Sequence, residues 1–240
     1  MPFNALHSRT RKSHSTEEAR KRLIEAGLDL FGKYSFEGTS TRTVAQQAQV
    51  NVASIQYYFG SKDGLYLAVS HYIVEQVNEL LGTRLAEIQK TLKQDLPSEE
   101  RCLCLLCELV EFVITRFLRL PEIDKWLSII VREQLCPTEA FGILFKGFLK
   151  PFYQTLFGLV ARILGSESDD PDVKIRAFTI MGQVLMFHIS PTSIKRTLRW
   201  KSYGPQNLDA VRRVILDNIQ AVFSVSRNCR STGSGASDVG

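Results

Sequence analysis

Apolar residues recur along this chain at steps of three and four, with no sustained alternation and no hairpin turns, so the pattern predicts an all-α fold. Leu23, Gly27, Leu30, Phe31 and Tyr34 make one stripe, and Ser15 or Thr16 ahead of Glu18 can cap its start, placing a first helix at about Thr16 to Lys33. The segment "YSFEGTST" supplies a glycine turn and a Ser/Thr cap for a second short helix, about Thr41 to Ala48. Asn51 caps a third, about Val52 to Tyr58. Longer helices follow: Lys62 towards Lys93, a break at Pro97, then Glu99 to Leu120 before Pro121. Further helices fit Glu122 to Leu135, Glu139 to Leu164, Val173 to Ile189 and Leu208 to Val225. Pro137, "GSESDDPD", Pro191 and "SYGPQ" read as loops, and "RSTGSGASDVG" as a flexible tail. The expected division is a flexible basic arm (1–15), a three-helix head (16–62), a helical bundle (63–226) and a tail (227–240).

Composition narrows the setting. The 240 residues are 44% apolar and 23% charged, ordinary for a globular chain that buries a core. The greasiest run, Leu103 to Ile114, is interrupted by Glu108 and Glu111, so no membrane span is expected. The start "MPFNALHSRTRKSHSTEEA" lacks the apolar core of a signal peptide, which leaves the cytoplasm as the expected compartment. Five cysteines (Cys102, Cys104, Cys107, Cys136, Cys229) fit no disulfide framework. On a helix, positions 102 and 104 stand about 200° apart, so only Cys104 and Cys107 share a face. With no histidine beside them, they read as small buried hydrophobes, and neither a metal nor a cofactor is expected.

Charge distribution says more than its sum. The chain carries a net +5, yet between Gly38 and Lys62 the only charged residues are Arg42 and Lys62, while Arg9, Arg11 and Lys12 lie upstream. The second and third short helices, separated by only a few residues, follow the helix-turn-helix plan. Val44, Ala45, Ala48, Val50, Ile55 and Phe59 form the inward set. Val52, Ala53, Ser54, Gln56 and Tyr57 face outward, neutral groups able to enter a major groove, where Gln56 suits an adenine edge and Ala53 a thymine methyl. Thr41, Tyr58 and Lys62 can donate to phosphate oxygens, the N–H groups opening the fourth helix add an anion site, and Arg42 can reach base or backbone. On pattern alone a second reading stands beside this one: Tyr57, Tyr58 and Phe59 as packing residues of a small helical core, with Lys62 merely solvated.

The stretch "GLDLFGKYSFEGTSTRTVAQQAQVNVASIQYYFGSKDGLYLAV" resembles the N-terminal DNA-binding domain of the tetracycline-repressor (TetR) family of bacterial regulators. "LFGKYSFEGTSTR", "VAQQAQV", a third helix ending "YYF" and "GSKDGL" occur in the family's order and separations. The resemblance implies a homodimeric, ligand-released repressor in which Thr41, Tyr58 and Lys62 contact the DNA backbone and Arg42, Val52, Ala53, Ser54, Gln56 and Tyr57 face bases or nearby phosphates. Two positions depart from the family's habit. Gln49 stands where glycine is frequent in the turn, so a non-glycine residue is expected to take a positive φ. Gln56 stands where a tyrosine is frequent, which shifts the expected phosphate contacts to Tyr57 and Tyr58.

"REQLCPTEAFGILFKGFLKPFYQTLFGLVARILG", "IRAFTIMGQVLMFHI" and "RTLRWKSYG" are similar to the CecR-type C-terminal domain of one family branch. That likeness implies a bundle whose last long helices pair with their twins around a two-fold axis. Phe178, Leu185, Ile189, Val211, Ile215, Ile219 and Val222 are the expected dimer stripe, with Met181 beside them. Phe112, Phe117, Trp126, Ile130, Phe141, Phe145, Phe148, Phe152 and Met181 are either core or the wall of an effector pocket, with Gln183 and His188 as polar anchors. For His188 a hydrogen bond to backbone at a helix end is the competing account. Lys195, Arg196, Arg199 and Lys201 around Trp200 read as a solvated face more readily than as a membrane or effector site. An enzyme needs a constellation this chain does not offer: there is no phosphate loop and no Glu-x-x-His pair. The expected partners are therefore a double-stranded DNA operator, a small apolar or amphipathic effector and a second copy, with no membrane. The alternative is a helical ligand-binding or scaffold protein that does not read DNA.

Overall fold

The computed structural model of the protein describes residues 5–94 and 97–233, and side chains within residues 16–224 apart from 95, 96 and 121. All regular elements among them are helical. In chain order they are α1 (Ala5–Tyr34), α2 (Thr41–Gln47), α3 (Ala53–Phe59), α4 (Lys62–Gln94), α5 (Glu99–Phe117), α6 (Pro121–Leu135), α7 (Glu139–Leu144), a π-helical turn (Phe145–Leu149), α8 (Lys150–Leu164), α9 (Pro171–Ile189), α10 (Pro191–Thr197) and α11 (Pro205–Gly233). No described helix is long and apolar enough to cross a membrane.

Several ends depart from expectation for identifiable reasons. α1 begins at Ala5, ahead of Thr16, and α11 runs to Gly233, past Val225. Neither extension contains a proline or an internal glycine to stop it. Residues 1–4 of the expected arm and 234–240 of the expected tail lie outside the described residues, as does the Cys229 side chain. Pro121, Pro171, Pro191 and Pro205 each open a helix where the pattern gave loop or a later start, because a first-turn proline has no hydrogen bond to lose and a preset φ. α10 is absent from the sequence-based expectation for this reason. The expected single helix from Glu139 to Leu164 is interrupted by the π-helical turn. Within it Gly147 makes close contact: a Cβ there would fall 2.6 and 2.7 Å from the two methyls of Val74 on α4, so a larger residue would require Val74 to move.

The chain separates into two compact units, Met1–Glu79 with Asp124–Phe148, and Leu80–Ile123 with Leu149–Gly240, with α4 running from the first into the second. In the first unit Leu23, Phe31, Leu65, Val69 and Ile73 are fully buried, joined by Ile129 from α6 and Leu144 from α7. α6 is fastened to α1 twice: Lys125 Nζ meets Asp29 Oδ1 at 2.5 Å, and Arg132 donates to the Phe31 carbonyl at 2.7 Å. In the second unit α5 packs on α8 and α11, and α8 on α9. Cys102 is buried in that unit, while Cys104 is exposed and Cys107 half-buried, so burial as small hydrophobes holds for Cys102 only. Burial pushes the Cys107 thiol up to about 11.

The link from α2 to α3 fixes what the first unit can present. α2 closes with the Gln49 N–H on Gln46 O (3.2 Å) and the Val50 N–H on Ala45 O (3.0 Å), the paired bonds of a left-handed C-terminal stop. Gln49 holds the left-handed position at φ 55°, in line with its place where glycine is frequent. An L side chain is strained there, so Gln49→Gly should raise stability by about 0.5–1 kcal/mol in urea unfolding at unchanged m-value. A loss of stability would contradict this account of the turn.

Candidate nucleic-acid interface

The two short helices of the head owe their boundaries to side-chain caps. Ser40, extended at φ −100° and ψ 151°, accepts the Thr43 N–H at 3.1 Å and opens α2. Asn51 Oδ1 accepts the Ala53 N–H at 2.8 Å and holds the start of α3. Ser61 Oγ accepts the Gly64 N–H at 3.0 Å, so one of the free donors expected at the start of α4 is already taken. Gly60, at φ 75°, turns the chain between α3 and α4.

Burial divides α3 cleanly. Val44, Ala45, Ala48 and Ile55 are buried, and small Ala45 and Ala48 let the two helices approach; Val50 and Phe59 of the inward set are half-buried. Val52, Ala53 and Gln56 are exposed, Tyr57 is 77% exposed, and Ser54 and Tyr58 are half-buried. Tyr57 and Tyr58 meet edge to face at 4.9 Å, and Tyr58 continues to Phe59 at 6.1 Å. Arg42 is exposed at the start of α2, and Thr41 and Lys62 are half-buried. The core reading of the rings therefore holds in part for Tyr58 and Phe59 and not for Tyr57.

Two cation–ring contacts frame this surface, neither anticipated from sequence. Lys62 Nζ stands 4.2 Å over the Phe36 ring, and the Arg20 guanidinium lies 5.6 Å over Phe59. The sequence pattern places Phe36 only in a turn. Its position beside Lys62 depends on the long-range return of the chain, which local spacing does not encode. The exposed Glu37 carboxyl is held below the usual range, first by a backbone N–H and then by the Ser35 hydroxyl, with the Lys62 and Arg132 charges adding.

The other expected site residues fall in different places. Phe112, Phe117, Met181, Gln183 and His188 belong to the second unit, while Trp126, Ile130, Phe141, Phe145 and Phe148 belong to the first. The Arg84 and Arg116 guanidinium groups each lie over the Phe112 ring, at 5.3 and 5.5 Å. Gln183 Oε1 accepts from Asn218 at 3.0 Å. His188 Nε2 donates to the Phe117 carbonyl at 2.5 Å, the backbone bond that competed with a ligand role. Trp126, Ile130 and Phe148 are buried, Phe141 and Phe145 stack at 5.6 Å, and the Trp126 indole N–H has no partner among the described residues. The dimer stripe needs correction. Val211, Ile215 and Ile219 are buried in this chain's own bundle, because α11 turns that face towards α5 and α8. Leu185 is half-buried, and Phe178, Ile189 and Val222 are exposed together with Ile175, Met186 and Val214, which lie outside the expected stripe.

With the site in place, comparison with known proteins identifies its type. Residues 23–69 match the family described as "Bacterial regulatory proteins, tetR family". Residues 105–224 match "HTH-type transcriptional dual regulator CecR, C-terminal domain". The chain is 28% identical over 210 residues to the HTH-type transcriptional dual regulator CecR of Shigella flexneri, covering 86% of this chain and 92% of that protein. It is 27% identical over 124 residues to the HTH-type transcriptional repressor NicS of Pseudomonas putida, about half of each protein. Among solved structures, AibR in complex with isovaleryl coenzyme A and operator DNA superposes with a TM-score of 0.60 at 16% identity, over 82% of this chain and 96% of that one. FadR of Bacillus subtilis in complex with stearoyl-CoA gives 0.54 at 15%, over 83% and 96%. The matched head, the matched C-terminal domain and the shared helical fold agree: the chain belongs to the TetR family of bacterial transcriptional regulators, in the branch with a CecR-type C-terminal domain.

Proposed function

We propose that the chain is a ligand-responsive repressor that binds a palindromic operator as a homodimer in the cytoplasm. The observation that carries this reading is the outer face of α3: it is free of acids, its Gln56 side chain is exposed, and Tyr57 projects into solvent. In the proposed complex Thr41, Tyr58 and Lys62 hold phosphates, while Arg42, Val52, Ala53, Ser54, Gln56 and Tyr57 face bases or the adjacent backbone. Twin α3 helices then stand about 34 Å apart, one helical repeat of DNA.

Dimerisation is supported by the apolar face left open on α9 and α11. Ile175, Phe178, Met186 and Ile189 recur at helical spacing on α9, with Val214 and Val222 on α11. For the effector, the acyl thioesters bound by the AibR and FadR structures support an amphipathic molecule. Binding need only favour one setting of α4, the helix that begins at Lys62, by about 1–3 kcal/mol to weaken the operator complex.

Two measurements test the reading. Selection from a random duplex pool should return a two-fold-symmetric site, and Gln56→Ala should alter the preferred base at one position per half-site by about 1–3 kcal/mol of discrimination. An unchanged base preference removes Gln56 from the reading surface. Lys62→Ala should weaken binding to every sequence by about 1.5 kcal/mol and lower the salt slope by about 0.9 for each phosphate that the ammonium no longer neutralises. Binding that ignores salt would defeat the proposed scheme as a whole.

A further inference from the structure

Lys62 does not stand alone on its helix end. Its ammonium sits over the Phe36 ring at 4.2 Å, and Phe36 in turn packs on Tyr66, one turn further along α4, with ring centroids 5.2 Å apart. Phe31 closes the cluster, edge to face with Tyr66 at 5.1 Å and stacked on Phe36 at 5.9 Å. Tyr66 is buried, yet its hydroxyl is satisfied: it donates to Glu133 Oε1 on α6 at 2.9 Å. Glu133 is 2% exposed, and its carboxylate also takes the Thr138 N–H at 2.9 Å and the Thr138 hydroxyl at 3.0 and 3.1 Å. Thr138 Oγ1 is at the same time the cap of α7, accepting the Ala140 N–H at 3.2 Å. A contiguous line of contacts thus runs from the α6–α7 junction through a buried carboxylate and two rings to the half-buried Lys62.

A buried carboxylate among three donors is a fixed post, since moving it would strand charge and donors together in a dry interior. A lysine on four rotatable bonds is the opposite, and gives up its rotamer freedom when it grips a phosphate. The ring face of Phe36 restrains the ammonium before any DNA arrives, and burial raises the Tyr66 hydroxyl's pKa, so that it stays protonated as a donor.

We propose that Tyr66 and Phe36, anchored on Glu133 of α6, are positioning residues that preorganise the Lys62 ammonium for a DNA phosphate. This rests on the reading of Lys62 as a phosphate ligand. It adds that α6, which touches no DNA in that reading, sets the strength of the Lys62 grip through Glu133.

A double-mutant cycle on the full chain tests it, using fluorescence anisotropy with a labelled mixed-sequence duplex across a salt series, each protein normalised to its active fraction by stoichiometric titration. Tyr66→Phe removes the hydroxyl and keeps the ring, and Phe36→Leu, at a half-buried position, removes the ring face. Each should weaken binding roughly three- to tenfold and move the salt slope towards that of Lys62→Ala, and each should add nothing in the Lys62→Ala background. A protein that is only less stable would show a smaller active fraction at an unchanged slope. If Tyr66→Phe fails to fold, the Phe36→Leu arm decides alone. Wild-type slopes for both variants, or full additivity with Lys62→Ala, overturn the positioning role while leaving Lys62 on its phosphate. If Lys62→Ala itself changes neither affinity nor slope, the phosphate reading fails first and the positioning role falls with it.

Discussion

The burial of Val44, Ala45, Ala48 and Ile55 is the constraint on which the head depends. α2 and α3 have seven residues each, far below the length at which an isolated helix persists in water. They exist because their inner faces are packed and their ends capped by Ser40 and Asn51. The same packing determines which side chains are left over. With Ile55 held inward, Gln56 and Tyr57 must project, so an exposed glutamine and an exposed tyrosine are products of the core and not accidents of the surface. The strained Gln49 belongs to this arrangement, since the left-handed stop is what lets α3 cross α2 at once.

A second layer of order comes from polar groups returning from far along the chain. α6 reaches α1 through Lys125 and Arg132 and reaches α4 through Glu133. Surface ion pairs of the Lys125–Asp29 kind contribute little on their own, whereas a carboxylate sealed among three donors penalises any rearrangement strongly. The structure therefore concentrates its geometric specificity at Glu133, while apolar contacts supply most of the cohesion.

Much of this was legible in the sequence, and the limits have physical causes. The period of the apolar residues gave the helical fold, the short helices and the outward set of α3, because a helix face is a local property. It misjudged prolines 121, 171, 191 and 205, which break helices from within and open them from the front. It assigned Val211, Ile215 and Ile219 to a partner because an apolar stripe looks the same whether its own bundle or a second copy covers it. Phe36 under Lys62, and Glu133 under Tyr66, were invisible because the first pair lies 26 positions apart and the second 67, separations that share no local signal.

The π-helical turn at Phe145–Leu149 has a consequence for how the long return segment is built. Ala140, Leu144, Phe148, Phe152 and Leu156 are all buried at steps of four, and on a regular α-helix such a series precesses by about 40° per step. The wider turn subtracts part of that precession midway, so the buried positions of α8 are offset in phase from those of α7. The phase of the helix is thus a built quantity: a relative differing by a single residue within this turn would turn a different set of α8 side chains inward, with no change in any loop.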